Sequence, residues 1–169
     1  MTATFVNSFI LFFVTIDTIG NLPFFLSLTE GAKIKKKNQI ALKSVIIAFF
    51  IMITFAYLGR YLLEAIHVSL DSLKIAGGVI LMFLAIDILF EKRKIRREKR
   101  VEEALDEKNF EEIIVFPIAI PFIAGPSALT TIILLIGNYA NFPEFQIPVI
   151  LALVAALVVS LVLMVGANF

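Results

Sequence analysis

Cysteine is absent from the 169 residues, so disulfides and thiolate-bound metals are excluded. Histidine occurs once, as His67, in a short connection near Glu64. A lone surface histidine carries no site, and neither a metal site nor a cofactor motif is expected. The amino-terminal MTATFVNSFI holds no basic residue and no small-residue cleavage site follows it, so a secretory signal peptide is not expected. Strict alternation of apolar and polar residues is missing too, which argues against barrel strands. A G-x-G-D pattern is lacking. Asp17 and Asp87 sit at different depths of their segments, so an intramembrane aspartyl protease, which needs two carboxyls close together, is not the expected class.

What is present is apolar. Hydrophobic residues make up 60% of the chain and the mean hydropathy is +0.97, beyond the usual range of a soluble domain. They gather into five blocks: Ala3 to Leu28, Ile40 to Leu63, Leu73 to Phe90, Ile113 to Ile136, and Pro148 to Val165. Blocks of about 18–25 residues match a hydrocarbon core roughly 30 Å thick when wound as helices. Backbone exposed to lipid has to satisfy its own hydrogen bonds, so the blocks read as helices. The expected fold is all-α, a single polytopic membrane domain over residues 1–169. The 17 phenylalanines read as packing and lipid-facing side chains.

The net charge of +1 says little, but its distribution says more. Lys33, Lys35, Lys36, Lys37 and Lys43 follow the first block, and Lys92, Arg93, Lys94, Arg96, Arg97, Lys99, Arg100 and Lys108 follow the third. Together they are 13 of the 15 Lys and Arg residues. The connections near Ile66–Ser72 and Asn138–Ile147 hold none. The excess of basic residues in cytoplasmic loops places 29–43 and 91–112 inside and the N-terminus outside, in a cell membrane. The run Lys92–Arg100 also fits an anionic-lipid or nucleic-acid patch. Glu102, Glu103, Asp106, Glu107, Glu111 and Glu112 follow it, however, so it reads as a self-pairing cytoplasmic connector with no nucleic-acid partner.

Proline and glycine are few but concentrated. FFVTIDTIGNLPFFL, from Phe12 to Leu26, places Asp17, Gly20, Asn21 and Pro23 in the middle of an apolar block. Gly20 allows the chain to leave one helix, Asn21 suits an N-cap and Pro23 suits the first turn of a new helix beginning near Leu22. The fourth block repeats the device. FPIAIPFIAGPSALTTIILL holds Pro117, Pro121, Gly125 and Pro126, followed by the hydroxyls of Ser127, Thr130 and Thr131. One segment enters from outside and the other from the cytoplasm, so the halves read as an inverted repeat. Residues 1–90 form a first three-helix unit, 91–112 the connector and 113–169 a second unit. Half-helix starts expose N–H groups and a positive dipole end that attract a carboxylate, while unwound carbonyls and hydroxyls hold an ammonium. Paired interruptions of this kind point to a secondary transporter.

FVTIDTIGNLPFFLSLT, SLDSLKIAGGVILMFLAIDILF and VFPIAIPFIAGPSALTTIILL resemble the MarC family of membrane proteins, which includes the SnatA-type transporters of small neutral amino acids. The resemblance covers nearly the whole chain. It implies six helices in an inverted repeat and proton- or cation-coupled movement of glycine- or alanine-like substrates. It points to the Asp17–Pro23 stretch, to Gly77 and Gly78, and to Pro121, Gly125, Pro126 and Ser127, with Thr130 on the first turns beyond. Thr18 departs from a usual proline. The sequence stops at LMVGANF where relatives continue into a sixth span, so the second unit lacks a counterpart of the third block; either the sequence is a truncation or a partner subunit in an oligomer supplies that helix.

Asp17 has two readings, as a coupling site for a proton or cation and as a cap on the broken helix. Gly77–Gly78 reads first as a close helix contact and second as a backbone contact to substrate. Asp87 reads as interfacial. The competing reading of the whole chain is a non-transporting scaffold or channel-like subunit, which has little need of paired breaks.

Overall fold

The structure, a computed structural model, describes residues 1–89 and 111–167. The described residues form helices joined by short turns: α1 (Thr2–Ile16), α2 (Thr18–Leu28), α3 (Ile34–Ala65), α4 (Leu70–Leu89), α5 (Ile114–Ile123), α6 (Pro126–Asn138) and α7 (Pro143–Gly166). Most of the basic connector, and Phe90 at the end of the third block, lie outside the described residues.

Thr2–Leu28, Ile34–Gly59 and Pro143–Gly166 are long and apolar enough to cross a membrane, and α5 with α6, bent by 58° at their break, meets the same measure as a pair, the mark of a broken span or a re-entrant loop. The protein is therefore a polytopic helical membrane protein. α4 occupies the place of the expected third span. The second span begins earlier than the apolar block does. Lys33 is extended (φ −63, ψ 147) and helix starts at Ile34. The 32 residues of α3 reach about 48 Å, more than the roughly 30 Å hydrocarbon core. The lysine-bearing first turns thus continue into the aqueous layer, where lysine is a good helix former.

Burial follows the membrane solvent. Phe50, Val162 and Ile19 are 63%, 62% and 62% exposed, as lipid-facing residues should be. The interior holds Phe12, Ile16, Phe25, Met52, Ile118, Ile132 and Leu153, together with buried Ser8, Thr15, Thr18, Asn21, Ser44, Ser127, Thr131 and Ser160. Polar side chains inside and apolar ones outside suit helices whose cohesion comes from close packing and hydrogen bonds rather than from expelled water.

The packing has a paired character. α7 lies against α1 and α2, α3 lies against α5 and α6, and α3 and α7 touch each other. α1 crosses α6, and α2 touches α5. α4 rests on α6, where a methyl added at Gly77 would come within 2.8 Å of Thr130 Cγ2 and 3.2 Å of Leu134 Cδ1. Gly77 is therefore a close-contact residue. At the end carrying the lysines, Lys36 Nζ reaches Glu111 Oε1 at 3.0 Å and Lys43 Nζ reaches Glu111 Oε2 at 3.7 Å. The turn before α3 and the end of the connector thus share one face of the bundle.

Candidate functional site

Both broken segments break, for different local reasons. Asp17 adopts a left-handed conformation (φ 51, ψ 54), ending α1 and beginning α2. Aspartate is one of the few side chains that tolerates this geometry. Its carboxylate accepts from the Gly20 N–H at 3.3 Å, which caps the new helix. The helix restarts at Thr18, not near Leu22 as the sequence suggested, so Asn21 is not the N-cap and Pro23 is not in the first turn. A left-handed aspartate cap ends the first helix before Gly20 is reached. Gly20 provides space rather than backbone freedom, since a Cβ there would overlap the Asp17 carboxylate.

In the fourth span the interruption is spread over α5. Phe116 (φ −124, ψ 125) and Ile120 (φ −128, ψ 125) are extended, and each precedes a proline joined through a cis peptide bond. A residue before proline is pushed out of the helical region. The segment is therefore kinked rather than a regular helix, and it ends at Ala124. Gly125 (φ −79, ψ 168) is then the N-cap of α6, with Pro126 in the first turn, as expected from the sequence. Gly125 needs no positive φ. Its requirement is room, because a Cβ would stand 2.7 Å from the Pro121 carbonyl oxygen.

The two breaks meet. Asn21 Nδ2 donates to Ile16 O at 2.7 Å and to Phe122 O at 2.9 Å, joining the last turns of α1 and α5 through one side chain on α2. In the other direction, Ser127 Oγ at the start of α6 donates to Thr15 O at 3.2 Å, near the end of α1. Each restarted helix therefore bonds the end of the helix opposite. The Phe24 and Phe122 rings pack 5.9 Å apart beside this junction. Thr18 Oγ1 and Ser160 Oγ lie 2.6 Å apart and tie α2 to α7, while Ser160 Oγ also donates to Ala156 O at 3.0 Å. Ser44 Oγ donates to Ile114 O at 2.9 Å, holding α5 to α3.

The helix starts differ electrostatically. That of α2 is met by the Asp17 carboxylate, whereas α6 has no side-chain cap. Leu129 N is the first in α6 to reach back, to Gly125 O at 2.9 Å. The N–H groups of Ser127 and Ala128 precede that first intrahelical bond and stand at the positive end of the helix. A small anion is the natural complement of such an end.

Of the residues singled out in the sequence, Asp17, Gly20, Asn21, Pro121, Gly125 and Ser127 converge here. Pro126 begins α6 and is exposed, while Pro23 is exposed on the outer side of α2. Gly77 meets Thr130 between α4 and α6, whereas a methyl added at Gly78 would find nothing within 4 Å. The Asp87 side chain lies outside the described residues. The described residues contain no group of three or more potential metal ligands. Sequence reasoning passed over Thr15, Ser44 and Ser160. Ser160, the one hydroxyl in the apolar run from Ile147 to Gly166, was the available signal.

The comparisons agree with this architecture. The MarC family of integral membrane proteins matches residues 2–169. A UPF0056 membrane protein of Archaeoglobus fulgidus is 38% identical over 159 residues, covering 94% of this chain and 72% of the relative. The UPF0056 membrane protein YvbG of Bacillus subtilis is 33% identical over 141 residues, 80% of this chain and 67% of the relative. The UPF0056 inner membrane protein YhgN of Escherichia coli K12 is 29% identical over 136 residues, 80% of this chain and 66% of the relative. No solved structure matches the chain. With its family signature running from one end to the other, this chain belongs to the MarC family of integral membrane proteins.

Proposed function

We propose that this protein is a secondary transporter of small neutral amino acids of the glycine or alanine type, coupled to a proton or a monovalent cation. The observation that carries the reading is the convergence of two interrupted helices. Asn21 on α2 reaches Phe122 O of α5 at 2.9 Å, and Ser127 on α6 reaches Thr15 O of α1 at 3.2 Å. Non-helical backbone at membrane depth is tolerated where it is buried in protein or lines a cavity, and in transporters it is where the substrate sits.

The paired packing of α1 on α7 and of α5 on α3 supports an inverted repeat, with residues 1–90 and 113–169 as its two units. Rocking of one unit against the other would then expose the junction alternately to the two sides. With the Asp17 carboxylate on α2, the substrate carboxylate goes to the uncapped first turn of α6, at Ser127 and Ala128. Gly20 and Gly125 keep the junction narrow, Pro121 and Pro126 set the α5–α6 corner, and Pro23, Gly77, Gly78 and Thr130 shape the helices around it. Asp17, an ionisable group at the first break, is our candidate for coupling. In the cell membrane the basic segments 29–43 and 91–112 face the cytoplasm and the N-terminus faces outside.

The test is uptake by liposomes holding the purified protein, with labelled glycine, alanine, serine and leucine, under an imposed proton or sodium gradient. Gradient-driven accumulation of the small substrates but not leucine supports the reading. No accumulation of any of them under either gradient would remove it.

A further inference from the structure

Asn21 is 1% exposed, and its amide is used on one side only. Nδ2 is held by Ile16 O and Phe122 O, whereas Oδ1 is a buried oxygen with no hydrogen-bond partner. Turning the amide over does not resolve this. Oδ1 would then face two carbonyl oxygens with no donor among them, so the pair of carbonyls fixes the orientation. A buried acceptor left unpaired is costly and calls for an explanation.

The surroundings select the kind of donor that fits. Ile16 belongs to the last turn of α1, the negative end of a helix dipole, and Phe122 adds a second carbonyl from the interrupted α5 segment. The Asp17 carboxylate lies one turn back along α2. A positively charged donor is favoured at such a place over a neutral one. The start of α6, four residues beyond Phe122, offers its N–H groups to a negative group.

We propose that Asn21 Oδ1 is the acceptor for the α-ammonium group of the substrate, making Asn21 the residue that selects free amino acids over their N,N,N-trimethylated or hydroxy analogues. This rests on the transport reading above. One half of the side chain braces the two broken helices and the other half recognises the ligand, so binding reports directly on the junction. Because the oxygen requires a hydrogen-bond donor, a quaternary ammonium cannot satisfy it, and a hydroxyl supplies a donor without the charge.

The experiment is glycine uptake by wild-type protein in liposomes, competed with alanine, N,N,N-trimethylglycine and glycolate, followed by the same measurement on Asn21→Leu. Alanine competes, and the other two compete at least tenfold more weakly. Asn21→Leu raises the glycine KM roughly tenfold or more, the loss of one hydrogen bond to a charged group. The competitor series uses the wild type alone and decides the matter even if the variant does not fold. Equal competition by trimethylglycine or glycolate, or a wild-type KM in Asn21→Leu, overturns the assignment while leaving transport intact. Glycolate competing equally, with binding lost when choline replaces sodium, would assign the oxygen to a coupling cation instead. A wild type that takes up no amino acid at all removes the transport reading itself.

Discussion

A methyl group at position 125 tests the geometry of the junction directly. In Gly125→Ala the new Cβ would stand 2.7 Å from the Pro121 carbonyl oxygen, closer than such atoms pack. The neighbour is backbone, fixed by the α5 winding, so relief requires the start of α6 to move away by several tenths of an ångström. Overpacking of this kind costs about 1–3 kcal/mol. The movement also stretches the 3.2 Å bond from Ser127 Oγ to Thr15 O, whose loss adds about 1 kcal/mol. Against a total stability of about 5–15 kcal/mol, the change is large enough to read as a fall of several degrees in melting temperature. Gly125→Leu should go further and abolish substrate binding with expression retained. Gly78→Ala is the matched control, because nothing lies within 4 Å of the added group and alanine is the better helix former. Thermal unfolding in detergent and the glycine KM in liposomes would be measured for all three. A Gly125→Ala protein with the melting temperature and KM of Gly78→Ala would refute the close approach of Gly125 to Pro121.

Three other perturbations address separate features. Asp17→Asn keeps a side-chain oxygen for the Gly20 N–H and a residue that tolerates a left-handed backbone, so the protein should fold while uptake loses its dependence on the proton gradient; unchanged dependence would remove Asp17 from coupling. Thr18→Val and Ser160→Ala, singly and together, should show a coupling energy of about 0.5–1.5 kcal/mol in unfolding, and strictly additive effects would contradict the 2.6 Å contact. The hydrogen bond from Lys36 and the charge of Lys43 hold the Glu111 carboxyl below its ordinary range. Its contribution is therefore present above the unfolded pKa and is lost as pH falls through the lower folded one, so Glu111→Gln should flatten the acid limb of stability. This exposed network should also fade in roughly 1 M salt, where the screening length is about 3 Å, and an effect that survives such salt would count against it.

Much of the architecture was legible because membrane helices announce themselves by length and composition. The existence of both breaks was legible for the same reason, since Asp17, Gly20, Asn21 and Pro23, like Gly125 and Pro126, are conspicuous against so apolar a background. The position of the first break was misread by about four residues. Asn21 and Pro23 have start-of-helix chemistry, but Asp17 can both end a helix in the left-handed region and cap the next, and it comes first along the chain. Local preference therefore chose between two adequate caps by order. The close-contact reading of Gly77 holds, whereas Gly20 and Gly125 were taken for flexibility, a property of the residue, when the crowding against Asp17 and Pro121 belongs to the folded arrangement. The brace from Asn21 to Phe122 spans 101 residues, and no spacing rule reaches that far. The early start of α3 was hidden because lysines outside the lipid leave no apolar trace.

The bond between Thr18 and Ser160 joins residues 142 positions apart, and Asn21 waits for a carbonyl 101 positions downstream. Synthesis runs from the N-terminus, so the opening segment reaches the bilayer long before either partner has been made. Its amide and hydroxyl must meanwhile find other company, whether water, lipid headgroups or the insertion machinery. The first break is thus completed only after α5 and α7, which carry its partners, have been made.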